Sequence, residues 1–408
     1  MKQPDIPALT GLRGLAAMLI VMHHLGLLIL PLGRTDLSQA LHQFGLLGMS
    51  TFFVLSGFVI HYNYAARIHR DGARGVKSFL LARFARLYPL YFLFVCLNFV
   101  HNIWTAPSST IGSVYIATLP GYLIGIQAWV YSVIGGYNFS LSQEYANNAW
   151  SISAEVFLYL IFVPLVLLFN FERPSQRRGL IIVTLGITAR ILFVLWVKNS
   201  WIGAWIGAKF GIASYISPVD WLVYFSPYGR FFEFMAGMGI AEIWRARAHE
   251  PASRNEALTV RILTYVALLY VLAACTDGVF FNHQYLLAGE RVHIGYAIAM
   301  PIIVYSLCRR HGITAALIRS APLIFLGDIS YSLYLLHGNV LALFRMDVSG
   351  DLKTYVPMML LRASLGIATV LVLSWIVFRF VEMPLKKFVM GHRPVADRAS
   401  LIVKTEER

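Results

Sequence analysis

Gly11-Leu-Arg13-Gly-Leu-Ala-Ala-Met-Leu-Ile-Val-Met-His23-His24 sets ionisable groups inside the first apolar run of the chain, a segment long enough to cross a bilayer. An ionisable side chain in a membrane helix is costly, and by default it marks a functional site. The eleven positions from Arg13 to His24 make three helical turns plus only ~20°, so the two project from one face. They stand ~16 Å apart along the axis, which puts the guanidinium near one membrane surface and the imidazole well into the bilayer. His23 is turned ~100° away and cannot share that line. The plainer alternative is that both groups only find polar partners between helices.

The rest of the chain supports a membrane reading. Of 408 residues, 58% are hydrophobic and only 13% charged, and the mean hydropathy of +0.65 lies beyond that of a soluble globular protein. The sequence predicts an all-α, multi-pass protein with ten transmembrane helices. These lie at 9–31, 44–63, 79–101, 150–171, 179–197, 221–243, 259–275, 292–308, 321–344 and 354–380. Basic residues crowd alternate loops: Arg67, Arg70, Arg74 and Lys77; Arg173, Arg177 and Arg178; Arg245, Arg247 and Arg254; Arg309, Arg310 and Arg319; and Lys386, Lys387, Arg393 and Arg398. The opposite loops hold little beyond Arg34, Lys198, Lys209, Arg291, Arg345 and Lys353. The positive-inside rule then puts both termini in the cytoplasm, and the net charge of +14 reflects orientation rather than nucleic-acid binding. The parity holds only if 113–135, apolar but broken by Pro120, Gly121, Gly125 and Gly135-Gly136, is interfacial or re-entrant. The first apolar run lacks a convincing cleavage site and reads as an uncleaved span. Residues 1–384 form one membrane domain and 385–408 a basic cytoplasmic tail. Cys96, Cys275 and Cys308 make neither a disulfide framework nor a zinc pattern.

Further polar positions recur in the spans. The second contains Gly48-Met-Ser50 and Ser56-Gly57, small residues suited to close helix packing. Arg83 and Arg86, one turn apart at a helix entrance, can grip a phosphate or pyrophosphate, or can serve as topology anchors. Trp150 suits the outer interface, and Glu155 five residues below it lies in the same half of the membrane as His24. The two suit a general-base pair, the acid orienting the ring. Arg230 and Glu233, at i, i+3, neutralise each other or face a substrate. Ser330, Tyr334 and His337 fall on one helical face, behind Asp328 at a helix start. Arg379 and Glu382 form another i, i+3 pair, and Pro384 stops the last helix. No Gly-rich phosphate loop, no G-x-S-x-G elbow and no pair of histidines at metal-ligand spacing occurs, so a metal is not expected.

Together Arg13 to His24, Phe52-Phe-Val-Leu-Ser-Gly-Phe58, Arg86-Leu-Tyr-Pro89, Trp150 to Glu155, Gly327 to His337 and Arg379-Phe-Val-Glu-Met-Pro384 resemble the acyltransferase-3 family across nearly the whole chain. That family consists of integral membrane enzymes that move acetyl or related groups from cytoplasmic acyl-CoA onto hydroxyls. Their acceptors are cell-surface glycans, lipopolysaccharide, exopolysaccharide, Nod factors or some antibiotics. The resemblance carries the family's arginine and histidine to Arg13 and His24, and its Ser-x-Ser-x-Glu acid to Glu155. Many members have a second acid where this chain has Val156, and Val plus an acid where it has Met49 and Ser50. The chain ends soon after the last span, so the resemblance implies the stand-alone type, without an appended hydrolase-like domain.

The resemblance implies a bacterial cytoplasmic- or inner-membrane O-acyltransferase that uses acyl-CoA, acetyl-CoA in the first instance, and no metal. The nucleotide would stay at the basic face near Arg13, Arg83 and Arg86, and only the acyl end would reach inward. A glycan hydroxyl would come from the other side, where His24 would deprotonate it or carry the acyl group itself. Two alternatives stay open: an acyltransferase of a small molecule such as an antibiotic or lipid, and a transporter or flippase of a lipid-linked sugar with His and Glu as a proton relay. No inverted repeat favours the transporter.

Overall fold

The computed structural model describes residues 5–28, 36–105, 109–134, 139–140, 147–212, 216–248, 250–277, 290–309, 312–345 and 352–391. Arg34, Arg310, Arg393 and Arg398 lie outside them. Helices α1 (Pro7–Leu28), α2 (Asp36–Asp71) and α3 (Ala73–Thr105) open the chain. The basic stretch between α2 and α3 is a helical corner rather than a loop. It turns at Gly72, whose φ of +53° suits glycine, and the Gly72 N–H closes the first helix on Ile68 O at 2.9 Å. Helix α4 (Ser109–Leu123) has 15 residues, ~22 Å of helix, too short for the ~30 Å hydrocarbon core. A two-residue antiparallel pair, β1 (Val133–Ile134) with β2 (Phe139–Ser140), lies beyond it. The start of helix α5 (Trp150–Leu168) is tied to the segment between α4 and β1, Gln127 Nε2 donating to Ala149 O at 3.0 Å and Trp129 Nε1 to Ser153 O at 2.9 Å.

The chain continues through α6 (Gln176–Asn199), α7 (Ile202–Phe210) and the single turn α8 (Pro218–Asp220) into a π turn, Trp221–Phe225. After α9 (Pro227–Arg247) and α10 (Arg254–Cys275) come α11 (Glu290–Cys308), α12 (Gly312–Ile318), α13 (Ala321–Asp328) and α14 (Ser330–Ala342). The described chain closes with α15 (Leu352–Val377), a second π turn at Phe378–Glu382, and α16 (Met383–Met390). Helix α9 sits between α2 and α6. Its contact with α2 depends on glycine on both sides: a Cβ on Gly57 would lie 1.9 Å from Phe234 O, and one on Gly237 would lie 2.0 Å from Val54 O. Close approach of that kind is how membrane helices associate without a hydrophobic driving force. The ends of α2, α6 and α9 expected to face the cytoplasm are tied by Glu242, which bonds His61 Nε2 at 2.9 Å and also pairs with Arg178 and Arg245.

Among the described residues eight helices are long and apolar enough to cross a membrane, and the protein is multi-pass. Two expected spans differ. Span 221–243 is interrupted at Ser226, whose extended backbone and side chain cap α9 ahead of Pro227 at its first position. Span 321–344 is two helices, parted at Ile329. Asp328 therefore ends α13, just outside the first turn of α14. Two readings at the carboxyl end are also corrected. Glu382 accepts from Ser332 Oγ at 2.6 Å and makes no ion pair with Arg379. Pro384 does not stop the helix, because the preceding π turn already gives up the hydrogen-bond register that proline would break.

The ten-span topology expected from the sequence makes a direct prediction. Reporter fusions at Arg74 and Arg178 should both report cytoplasm, and a fusion at Asn147 the exterior. An exterior signal at Arg178 would refute the assigned parity.

Candidate active site

A cleft of about 820 Å³, open to solvent, runs between α1, α2, α3, α5 and α14. Its walls are mostly apolar, with Met49, Phe52, Phe53 and Leu87 among them, but Arg13, Arg83 and Arg86 also line it. These three lie toward the helix ends expected to face the cytoplasm. Arg83 Nη2 donates to Tyr64 Oη at 3.2 Å, and its guanidinium carbon lies 5.1 Å from the Tyr64 ring centre. Its Nε is buried and has no hydrogen-bond partner among the described residues. One turn on, Arg86 hydrogen-bonds no described residue. Two arginines with unused donors in a cleft suit an anion of phosphate type, which accepts charge-assisted hydrogen bonds.

Glu155 faces the same cleft. Its Oε1 accepts from Ser56 Oγ at 2.8 Å, and Tyr159, one turn on, lines the cleft as well. The residue i+1 to Ser56, Gly57, serves close packing, so two neighbours of the second span divide into a site role and a packing role. At the other end of the cleft, Ser151 Oγ donates to Tyr334 Oη at 2.8 Å, and the Tyr334 ring lies 6.0 Å from that of Phe52. Ser330 lines the cleft too, with its hydroxyl turned back to Gly327 O at 2.8 Å.

His24 is not in the cleft wall. It lies beyond Tyr334 through successive ring contacts, Tyr334 to His337 at 5.7 Å and His337 to His24 at 4.6 Å. The expected Glu155–His24 pair is corrected accordingly: the carboxylate accepts from Ser56, and His24 Nδ1 meets Ile20 O at 3.0 Å and His337 Nε2 at 3.1 Å. The depth expected for both residues did not bring them into contact. His23 hydrogen-bonds Leu41 O at 3.2 Å and lies 5.4 Å from the His42 ring; its ring meets that of His24 edge-on at 4.8 Å but makes no hydrogen bond to it among the described residues.

The family's Acyltransferase domain matches residues 6–379. The chain belongs to the acyltransferase-3 family. It is 21% identical to the peptidoglycan O-acetyltransferase OatA of Listeria monocytogenes, over 94% of this chain and 56% of that protein. With the acyltransferase MdmB of Streptomyces mycarofaciens it shares 25%, over 96% and 94% of the two chains. For the O-acetyltransferase OatA of Staphylococcus aureus the figures are 24% identity, 94% and 57%. The chain thus spans little more than half the length of the two OatA relatives. No solved structure matches it.

Of the family motifs, Arg13, Ser56, Arg86, Glu155 and Tyr334 converge on the cleft, and His24 and His337 adjoin it. Arg230 and Glu233 form a separate, fully buried cluster. Arg230 Nη1 donates to Glu233 Oε2 at 2.8 Å, and its guanidinium carbon lies 4.0 Å from the Tyr224 ring centre and 5.2 Å from that of Phe53. Ser50 Oγ donates to Glu233 Oε1 at 2.9 Å. The sequence reading passed over Arg190, Tyr64, Tyr159 and the His61–Glu242 contact. Arg190 was detectable by the rule that singled out Arg13, being a charge in the middle of an apolar span. No three His, Cys, Asp or Glu residues group as metal ligands among the described residues.

Proposed function

We propose that the protein is a membrane O-acyltransferase that takes an acyl group, acetyl in the first instance, from cytoplasmic acyl-CoA to a hydroxyl of a cell-surface or lipid-linked glycan. The observation that carries this reading is the arginine-lined cleft leading to Tyr334 and the histidine pair, with the Arg83 Nε buried and unpartnered. The phosphates of the donor would bind Arg83 and Arg86, with Arg13 adding charge, and the acyl thioester would extend along the apolar walls. The hydroxyl oxygen would attack the thioester carbonyl carbon, its proton passing to His24 as the C–S bond breaks and CoA leaves. Glu155 would act at the donor end, fixing Ser56 and offsetting the arginines, rather than at His24.

The two OatA relatives, named as O-acetyltransferases and one of them as acting on peptidoglycan, support a glycan acceptor. MdmB, matched over nearly its full length, is named only as an acyltransferase and specifies no acceptor, so a second acceptor class, a small diffusible molecule, stays beside the first. Mass spectrometry of surface glycans with and without the gene tests the first: loss of one acyl mass per modified unit is expected. Unchanged glycans together with unchanged CoA release would overturn the reading. Donor binding is tested separately. Arg83→Ala or Arg86→Ala should weaken acyl-CoA binding by ~1.5–3 kcal/mol, a charge-assisted bond's worth, with little effect on folding. Lysine should restore only part, since it lacks the bidentate fork. Unchanged affinity in both alanine variants would reduce the arginines to topology anchors.

A further inference from the structure

We infer that His337 is the positioning partner of His24, holding the His24 Nδ1–H so that Nε2 carries the free lone pair. His337 is fully buried, and its Nδ1 lies 2.7 Å from Tyr334 O. A carbonyl only accepts, so this nitrogen carries the proton and, in a neutral ring, leaves Nε2 as an acceptor. That Nε2 is 3.1 Å from His24 Nδ1. His24 Nδ1 also lies 3.0 Å from Ile20 O, again a group that only accepts, so it too carries its proton. The Ile20 carbonyl is four residues back in the same helix and already takes the helical N–H of His24. His337 Nε2 has no other donor among the described residues, so the inter-ring bond is the one that can strengthen when His24 becomes charged.

The chemical consequence rests on the acyl-transfer reading; the tautomer does not. As the acceptor oxygen bonds to the acyl carbon and the C–S bond breaks, the hydroxyl proton goes to His24 Nε2. The resulting imidazolium donates through Nδ1–H to His337, and the Nε2 proton is then available to the departing CoA thiolate. His337 thus takes the orienting role that depth alone assigned to Glu155. Because Tyr334 lines the cleft and bonds His337 through its backbone, the pair is held at the inner end of the proposed acyl path.

Two measurements on the full-length protein in detergent test this. Nitrogen NMR of isotope-labelled histidine, with the His24 signals identified by their loss in His24→Ala, should show a protonated Nδ1 and a bare Nε2. Steady-state kinetics with acetyl-CoA as donor probe and peptidoglycan fragments as acceptor probe should show His337→Phe slowed in kcat on the order of 10²-fold, with the acetyl-CoA KM unchanged. His337→Gln, whose amide oxygen can sit near the lost Nε2, should recover a large part of that rate. A packing role predicts the reverse order, with Phe faster than Gln. A His24 proton on Nε2 in the wild type, or wild-type rates in His337→Phe, would overturn the proposal. Should the wild type turn over neither probe, the acyl-transfer reading fails for those substrates while the nitrogen shifts still decide the tautomer.

Discussion

His24→Ala should abolish acyl transfer while the protein still inserts and accumulates. A positioned general base is worth ~10²–10⁴-fold in rate, and a methyl group can neither accept the hydroxyl proton nor carry an acyl group. His23→Ala is the internal control. The two residues are adjacent and alike in type, yet His23 turns to Leu41 O and His42 while His24 meets His337 across the bundle. Replacing His23 should therefore cost at most packing. Acyl transfer by purified variants at matched expression is the measurement. An active His24→Ala beside an inactive His23→Ala would sink both the helical-face argument and the carry-over from the family. Glu155→Gln should behave unlike either, raising the demand for donor more than it slows turnover, because Glu155 belongs to the arginine end of the cleft.

The sequence was most legible where a single helix carries the information. Arg13 and His24 could be placed on one helical line because both sit on α1, and the unbroken α1 keeps that spacing. Composition and the apolar runs sufficed for the all-α membrane class. What pairs with what across helices was not legible, since span depth fixes one coordinate of three. Glu155 and His24 share a depth but face different neighbours, and His337, read as one member of a polar stripe, is the histidine that reaches His24. Local backbone exceptions were the other blind spot. Arg379 and Glu382 are i, i+3 by count, but the π turn between them rotates Glu382 toward Ser332. The Ser226-Pro227 pair carried a readable helix-start signal that the hydropathy of 221–243 concealed. Hydropathy averages over such breaks, so the spans it outlines are longer and straighter than the helices that form.

Glu233→Ala should be the most destabilising single change in the outer half of the bundle, at ~3–5 kcal/mol, the usual cost of stripping one partner from a buried ion pair. Glu233 has a fully buried side chain and is held by Ser50 at 2.9 Å and Arg230 at 2.8 Å, with Arg190 Nη2 at 4.0 Å. Arg190 and Arg230 are equally buried and come from α6 and α9, so the carboxylate is the one acidic group in these contacts that offsets two guanidinium charges. Arg190 is otherwise satisfied only by carbonyls, Val223 O and Gly229 O, both at 2.9 Å. Taking the carboxylate away leaves both cations without their counter-charge in a water-poor interior, and the α6–α9 contact should loosen first. Removing one of those cations should relieve the repulsion, so Arg190→Met added to Glu233→Ala should regain part of the lost stability. Without coupling between the sites the two effects would simply add. Thermal unfolding of detergent-solubilised protein and the amount accumulated in membranes provide the readout. If Glu233→Ala melts like the wild type yet transfers no acyl group, the cluster is a substrate site rather than a structural one. Normal melting with normal turnover would mean that neither role holds.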